Sequence, residues 1–136
     1  MKLVYLATPQ QATTEAIRSR SVASSKGQIT RHYAAWENGE EVALVAFDIY
    51  DRREFPDVDY LVVYELYVPE GLRNKGIGTR ALQAAEQFAK DLGFRKTMLH
   101  AKPLFETRTQ VEMIAWYQRR GYVQAEGRSS DLQKIL

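Results

Sequence analysis

Between Tyr60 and Leu92 the sequence changes its hydrophobic period once, and that change limits the folds open to the chain. Tyr60 to Val68 is an apolar run rich in β-branched and aromatic residues and closed by Pro69, as a buried strand requires. From Gly78 to Leu92 the apolar positions Leu82, Ala85, Ala89 and Leu92 recur at helical spacing, leaving Arg80, Gln83, Gln87 and Lys90 for solvent, and Gly93 ends the helix. A further strand follows at about 95 to 101. Strand, helix, strand is a βαβ crossover, so part of the sheet is parallel.

The flanking segments add an antiparallel part. Residues 2 to 6 read as a short strand, and Thr8-Pro9-Gln10-Gln11 supplies a capping hydroxyl, a proline for the first helical position and a returning glutamine. A helix is expected from near Pro9, fading at Ser24-Ser25-Lys26-Gly27. Two strands, about 28 to 37 and 41 to 51, flank Asn38-Gly39, a strong hairpin signal. Residues 52 to 58 are charged and contain Pro56, which suits an exposed loop. Thr109-Gln110-Val111-Glu112 is a capping box opening a helix that runs to Arg120 before Gly121, and short strands at about 122 to 126 and 131 to 136 complete the sheet. The order β-α-β-β-β-α-β-α-β-β predicts an α/β (mixed α+β) domain, with a mixed, mostly antiparallel sheet of six to seven strands flanked by about three helices. With 136 residues, 45% of them hydrophobic, residues 1–136 are expected to form one domain around one core.

Several function classes are excluded. Nineteen basic against 17 acidic side chains leave a net charge of +2, too little to argue for a nucleic-acid partner. The absence of cysteine removes disulfides, thiolate metal sites and a cysteine nucleophile. The start MKLVYLATPQQ is too short in apolar residues for a signal peptide, and no run of about 18 apolar residues occurs, so a cytoplasmic, non-membrane protein is expected.

The chemistry concentrates in Val68-Pro69-Glu70-Gly71-Leu72-Arg73-Asn74-Lys75-Gly76-Ile77-Gly78-Thr79, which joins the buried strand to the amphipathic helix. A helix start exposes unpaired amide donors at the positive end of the macrodipole, which favours an anion there. Glycine at 76 and 78 lets the backbone approach a phosphate closely, and Arg73 and Lys75 add positive charge. A nucleotide P-loop would end Gly-Lys-Ser/Thr, whereas this turn ends Gly78-Thr79-Arg80. Gly76-x-Gly78-x-x-Ala81 matches a dinucleotide fingerprint in spacing. That fingerprint follows its strand directly, however, and here a proline-started loop intervenes with no acidic residue ending the next strand (His100-Ala101-Lys102). A glycine-softened turn that binds nothing is the remaining plain reading.

Arg73-x-x-Gly76-x-Gly78, five residues after the strand-ending Val68 and opening a helix, resembles the acetyl-CoA motif of the GNAT superfamily of N-acyltransferases. Trp116-Tyr117-Gln118-Arg119-Arg120-Gly121-Tyr122 resembles that family's second signature, a tyrosine, a basic pair, glycine and an aromatic. The resemblance is specific over about 60 to 122. It implies a GNAT-like sheet with acetyl-CoA as co-substrate. The amides of Asn74, Lys75, Gly76, Ile77, Gly78 and Thr79 would cradle the pyrophosphate, and Arg73 would sit at its rim. Leu66, Tyr67 and Val68 would pair with the pantetheine arm, and the Val68 amide would polarise the acyl carbonyl. The resemblance also makes Tyr117 the acid that protonates the leaving thiolate, requires no metal, and places Gln110 where many members carry a cofactor-contacting asparagine.

A base must take a proton from an ammonium acceptor before attack, and Glu65 and His100 are the candidates, each with an alternative as a paired or hydrogen-bonded sheet residue. Trp36, Tyr33 and Phe47 read as hairpin core, and Arg18, Arg20, Arg119 and Arg120 as solvated faces. The acceptor, a small-molecule or peptide amine, is expected between the first helix, the hairpin and the 52 to 59 loop. The expected activity is acyl transfer from acetyl-CoA to an amine by direct attack in a ternary complex, with Tyr117 and Glu65 as catalytic residues. The alternative is a non-catalytic acyl-CoA-binding sensor or interaction module. A monomer or homodimer is expected, exposed C-terminal strand edges favouring the latter.

Overall fold

The computed structural model describes residues 1–24, 27–101, 108–125 and 131–136. Its seven strands are β1 (Lys2–Leu6), β2 (Thr30–Glu37), β3 (Glu40–Asp48), β4 (Tyr60–Tyr67), β5 (Lys96–His100), β6 (Val123–Gln124) and β7 (Asp131–Ile135). The helices are α1 (Glu15–Ala23), α2 (Ile77–Asp91) and α3 (Gln110–Gln118). One sheet has the order β1-β2-β3-β4-β5-β7-β6; β4 and β5 run parallel and every other neighbouring pair is antiparallel. This is the mixed, mostly antiparallel architecture that the element order predicts. Of the sequence expectations, Ser25 and Lys26 at the end of the first helix, the loop residues 102–107 and Glu126 of the strand 122–126 lie outside the described residues.

Turn chemistry fixes the hairpin: Asn38 and Gly39 both adopt positive φ, 53° and 77°, the conformation an Asn-Gly hairpin favours. β3 is buried from Glu41 through Phe47, because helices cover both of its faces. On one face Val45, Phe47, Leu61 and Val63 pack against Ala81, Leu82, Ala85 and Ala89 of α2, and Phe88 stacks on Phe47 with centroids 4.7 Å apart. On the other face Leu6, Ala34 and Leu44 meet Ala12 and Ile17 from the α1 side.

The first helix differs from its reading. Pro9–Gln11 form only a 3₁₀ turn, Thr8 makes no capping hydrogen bond, and the Gln11 side chain accepts from the Ala7 amide at 2.7 Å. The α-helix starts six residues later, at Glu15, because the cap comes from β3. Buried Glu41 accepts from the amides of Thr13 and Thr14, both at 3.0 Å, and from the Thr14 hydroxyl at 2.7 Å. Burial works to raise this carboxyl's pKa, but the donated bonds outweigh it and hold it below the usual range. The α3 capping box forms as read, Thr109 accepting from the Glu112 amide at 3.2 Å.

Candidate active site

β4 carries an extra residue opposite β3. Ala46 pairs with Glu65 and Phe47 with Val63, so Tyr64 forms a bulge, and a bulge bends its strand. On the other side β4 pairs with β5 at Tyr60↔Lys96, Leu61↔Thr97 and Val62↔Met98. Beyond Val62 the strands part, and this edge of β4 up to Tyr67 has no strand partner among the described residues. A cavity of about 620 Å³ opens there, walled by Leu66 and Val68, the glycine turn, and Trp116 and Tyr117 of α3.

At one end of the cavity lies the turn into α2. Asn74 and Gly76 hold φ of 63° and 77°, a left-handed conformation that asparagine tolerates and glycine adopts freely. Two arginines fasten this turn. Arg73 donates through Nε to the Val68 carbonyl at 3.0 Å. Arg80 donates to the Lys75 carbonyl at 3.2 Å while gripping both Glu37 carboxylate oxygens at 2.7 and 2.8 Å. The backbone amides of residues 74 to 79 donate to no acceptor among the described residues, which leaves a row of donors at a helix start, and Asn74, Gly76, Gly78 and Thr79 of this row line the cavity. Room is left beside them: a Cβ on Gly78 would meet the Trp116 ring at an ordinary 3.5 Å.

Arg120, read from the sequence as a solvated face, closes the same end. Its Nε and Nη2 donate to the Thr79 hydroxyl oxygen at 3.0 and 2.8 Å, its Nη1 to the Trp116 carbonyl at 2.8 Å, and its guanidinium lies 3.7 Å from the Trp116 ring centroid. Burial first, then the neighbouring charges of Arg119 and Arg108, draws its pKa below the ordinary arginine value. A polyanion would relieve that crowding.

Further along the wall, Tyr117 is 7% exposed. Its ring meets those of Trp116 and Tyr122 edge-on, with centroids 4.9 and 5.6 Å away. Its hydroxyl has no hydrogen-bond partner among the described residues, and no buried side-chain polar atom there lacks one, so the hydroxyl lies on the cavity surface. Burial pushes this phenol up to about 12, which keeps its proton in place at neutral pH.

Glu65 and His100 line the same cavity, each held by a side chain from another element. Glu65, its side chain 4% exposed, accepts from Arg20 Nε at 2.7 Å and Nη2 at 2.6 Å. His100 Nδ1 lies 3.0 Å from Asp131 Oδ1. Arg20, Leu66, Val68, Arg73, Asn74, Gly76, Gly78 and Thr79 are on the wall; Tyr67, Lys75, Ile77 and Gln110 are not. Gln110 instead donates to the Ala101 carbonyl at 3.2 Å, tying α3 to the end of β5. The 52 to 59 loop is also elsewhere. Arg52 donates to the Gly93 carbonyl at 3.0 Å, so the loop borders the far end of α2, roughly 20 Å of helix from the glycine turn. Of the three elements expected around the acceptor, α1 reaches the cavity, through Arg20.

A model of the "Acetyltransferase (GNAT) family" matches residues 5–122. The chain belongs to this family. A Bacillus subtilis (strain 168) protein named "Putative phosphinothricin acetyltransferase YwnH" is 31% identical over 104 residues, covering 74% of this chain and 62% of that protein. The chain thus spans less than two thirds of that relative's length. Tetrahymena GCN5 superposes with a TM-score of 0.64 at 9% identity, covering 99% of this chain and 96% of that one. An acetyltransferase of the GNAT family from Elizabethkingia anophelis, solved with acetyl-CoA bound, gives a TM-score of 0.57 at 16% identity over 90% and 84% of the two chains. These two share the fold. The GNAT resemblance carried by the glycine turn and the Tyr117 segment is therefore that of the whole domain. Arg120 and Asp131 are the wall and support residues that sequence reasoning missed; neither reaches its partner through a recognisable local spacing.

Proposed function

We propose that this GNAT protein transfers an acetyl group from acetyl-CoA to a primary amine by direct attack within a ternary complex. The observation that carries the reading is the row of amides at 74 to 79 that have no acceptor among the described residues, with Asn74, Gly76, Gly78 and Thr79 lining the same cavity as Tyr117. Acetyl-CoA supplies the activated thioester. The amides of 74 to 79, with Arg73 and Arg120 beside them, hold its pyrophosphate. The open edge of β4 at Leu66, Tyr67 and Val68 pairs with the amide-bearing arm as an added strand would, and the Val68 amide stabilises the developing oxyanion. Tyr117 protonates the departing sulfur. Without cysteine the chain has no thiol to carry an acyl group, which supports direct attack over a two-step route. Gln110 acts through the end of β5 by tying Ala101.

Calorimetry with acetyl-CoA and release of free CoA thiol over a panel of amines test this. The panel includes phosphinothricin, for which the Bacillus subtilis relative is named, with amino acids, short peptides and aminoglycosides. The parent protein should bind acetyl-CoA and turn over with at least one amine. Gly78→Asp should fold yet bind at least about 100-fold more weakly, since it sets a negative charge before the amides. Gly78→Asp binding within a few-fold of the parent would remove the cradle. Binding without turnover across the panel would leave a binding module.

A further inference from the structure

We infer that Tyr122 is a positioning residue for Tyr117, pinned by a buried network of Thr97, Glu86 and Lys134 that fixes the end of α3 against α2; this rests on the acyl-transfer reading above. Tyr117 is the penultimate residue of α3. Just beyond, Gly121 holds a φ of 94° and the chain turns back on the helix. The Gly121 amide donates to the Gln118 carbonyl at 3.1 Å and the Tyr122 amide to the Tyr117 carbonyl at 3.2 Å. This lays the Tyr122 ring beside that of Tyr117, edge-on at 71° with centroids 5.6 Å apart. Moving one ring moves the other.

The Tyr122 hydroxyl is held over long range. Its residue is 2% exposed, and the hydroxyl donates to Glu86 Oε2 at 2.9 Å. A phenol has one proton, so in the 2.7 Å contact with Thr97 Oγ1 the fully buried threonine is the donor. Lys134, register partner of Thr97 across β5 and β7, donates to the other Glu86 oxygen at 3.2 Å. One phenol oxygen and one carboxylate thus join α2, β5 and β7 to the chain leaving α3.

Because α2 begins at the glycine turn and α3 carries Tyr117, this junction sets how far the Tyr117 hydroxyl stands from the amides of that turn. Hydrogen bonds to a buried carboxylate hold such a spacing firmly, and a displacement of about 1 Å in a catalytic group costs up to about 10²-fold in rate. None of Tyr122, Thr97, Glu86 and Lys134 lines the cavity, so their influence on a bound thioester passes through Tyr117.

Initial rates in a double-mutant cycle test this, with the panel amine that the parent acetylates fastest. Tyr122→Phe keeps the ring and removes the pin. It should lower kcat on the order of tenfold and leave KM for acetyl-CoA unchanged. In a Tyr117→Phe background the same change should alter kcat by less than about twofold, because no acid is left to misplace. Glu86→Gln keeps an acceptor for the phenol and should stay within about threefold of the parent kcat, whereas Glu86→Leu should match Tyr122→Phe. Equal losses from Tyr122→Phe on both backgrounds would show a general loosening and overturn the inference. So would Tyr122→Phe, or Glu86→Leu if the first variant melts early, retaining more than about half of the parent kcat. A parent that acetylates no amine overturns the acyl-transfer reading and this inference together; an active parent in which Tyr117 and Tyr122 act independently overturns this inference alone.

Discussion

At the scale of single residues, Tyr117 combines a phenol that resists ionisation with a hydroxyl on the cavity surface. Replacing it with phenylalanine keeps the packing against Trp116 and Tyr122 and removes the proton. Turnover should fall on the order of 10²-fold while KM for acetyl-CoA hardly moves; a variant retaining more than about a third of the parent kcat would make Tyr117 a packing residue. The same burial gives a pH signature independent of activity. With the folded-state value pushed up to about 12 and an unfolded value near 10, the stabilisation is whole below pH 10 and is lost as pH rises through 12. Urea melts of the parent should therefore lose up to about 2–3 kcal/mol more across that window than those of Tyr117→Phe. Equal losses would place the ring in a wetter setting. Arg120 gives a second residue-scale expectation. Arg120→Gln should weaken acetyl-CoA binding on the order of tenfold, an effect that shrinks at high salt, as calorimetry at two ionic strengths would show. Salt-insensitive weakening would instead point to lost packing on Trp116.

Among the elements, what could be read from the sequence divides by range. The Asn38-Gly39 hairpin, the β4 run, the α2 period and the Thr109 capping box all depend on neighbours a few residues apart, and they stand where the sequence puts them. The start of α1 does not. Thr8 and Gln11 carry the local pattern of a cap, but Glu41, on a strand 27 residues beyond Thr14, supplies the acceptors. Arg120 was illegible for the same reason, because its partner Thr79 is 41 positions away. Glu41→Ala should cost about 2–4 kcal/mol, since three donors lose one buried acceptor. The parent's Glu41 contribution is whole above the unfolded value, about 4.3, and fades as pH falls through the lowered folded one, so the stability difference between parent and variant should narrow in acid. A difference that stays constant to low pH would deny the carboxylate this role. Because α1 carries Arg20, slackening its cap should also raise KM for the amine.

For the molecule as a whole, the antiparallel meander β1–β4 and the C-terminal group β5, β7 and β6 meet in the sheet at Tyr60↔Lys96, Leu61↔Thr97 and Val62↔Met98. Beyond this short seam the sheet is torn open, and α2, crossing from one half to the other, is the main strut between them. A substrate arm lying along residues 66 to 68 would add rungs to the open edge and act as a structural member while it stays. Amide exchange should then slow at 66–68 when CoA is added, with β2 and β3 already protected and unchanged. Exchange that slows only at 74–79 would show the halves to be fastened without it. Each turnover, on this view, mends the sheet and then unpicks it, and release of the product takes out the stitch that binding put in.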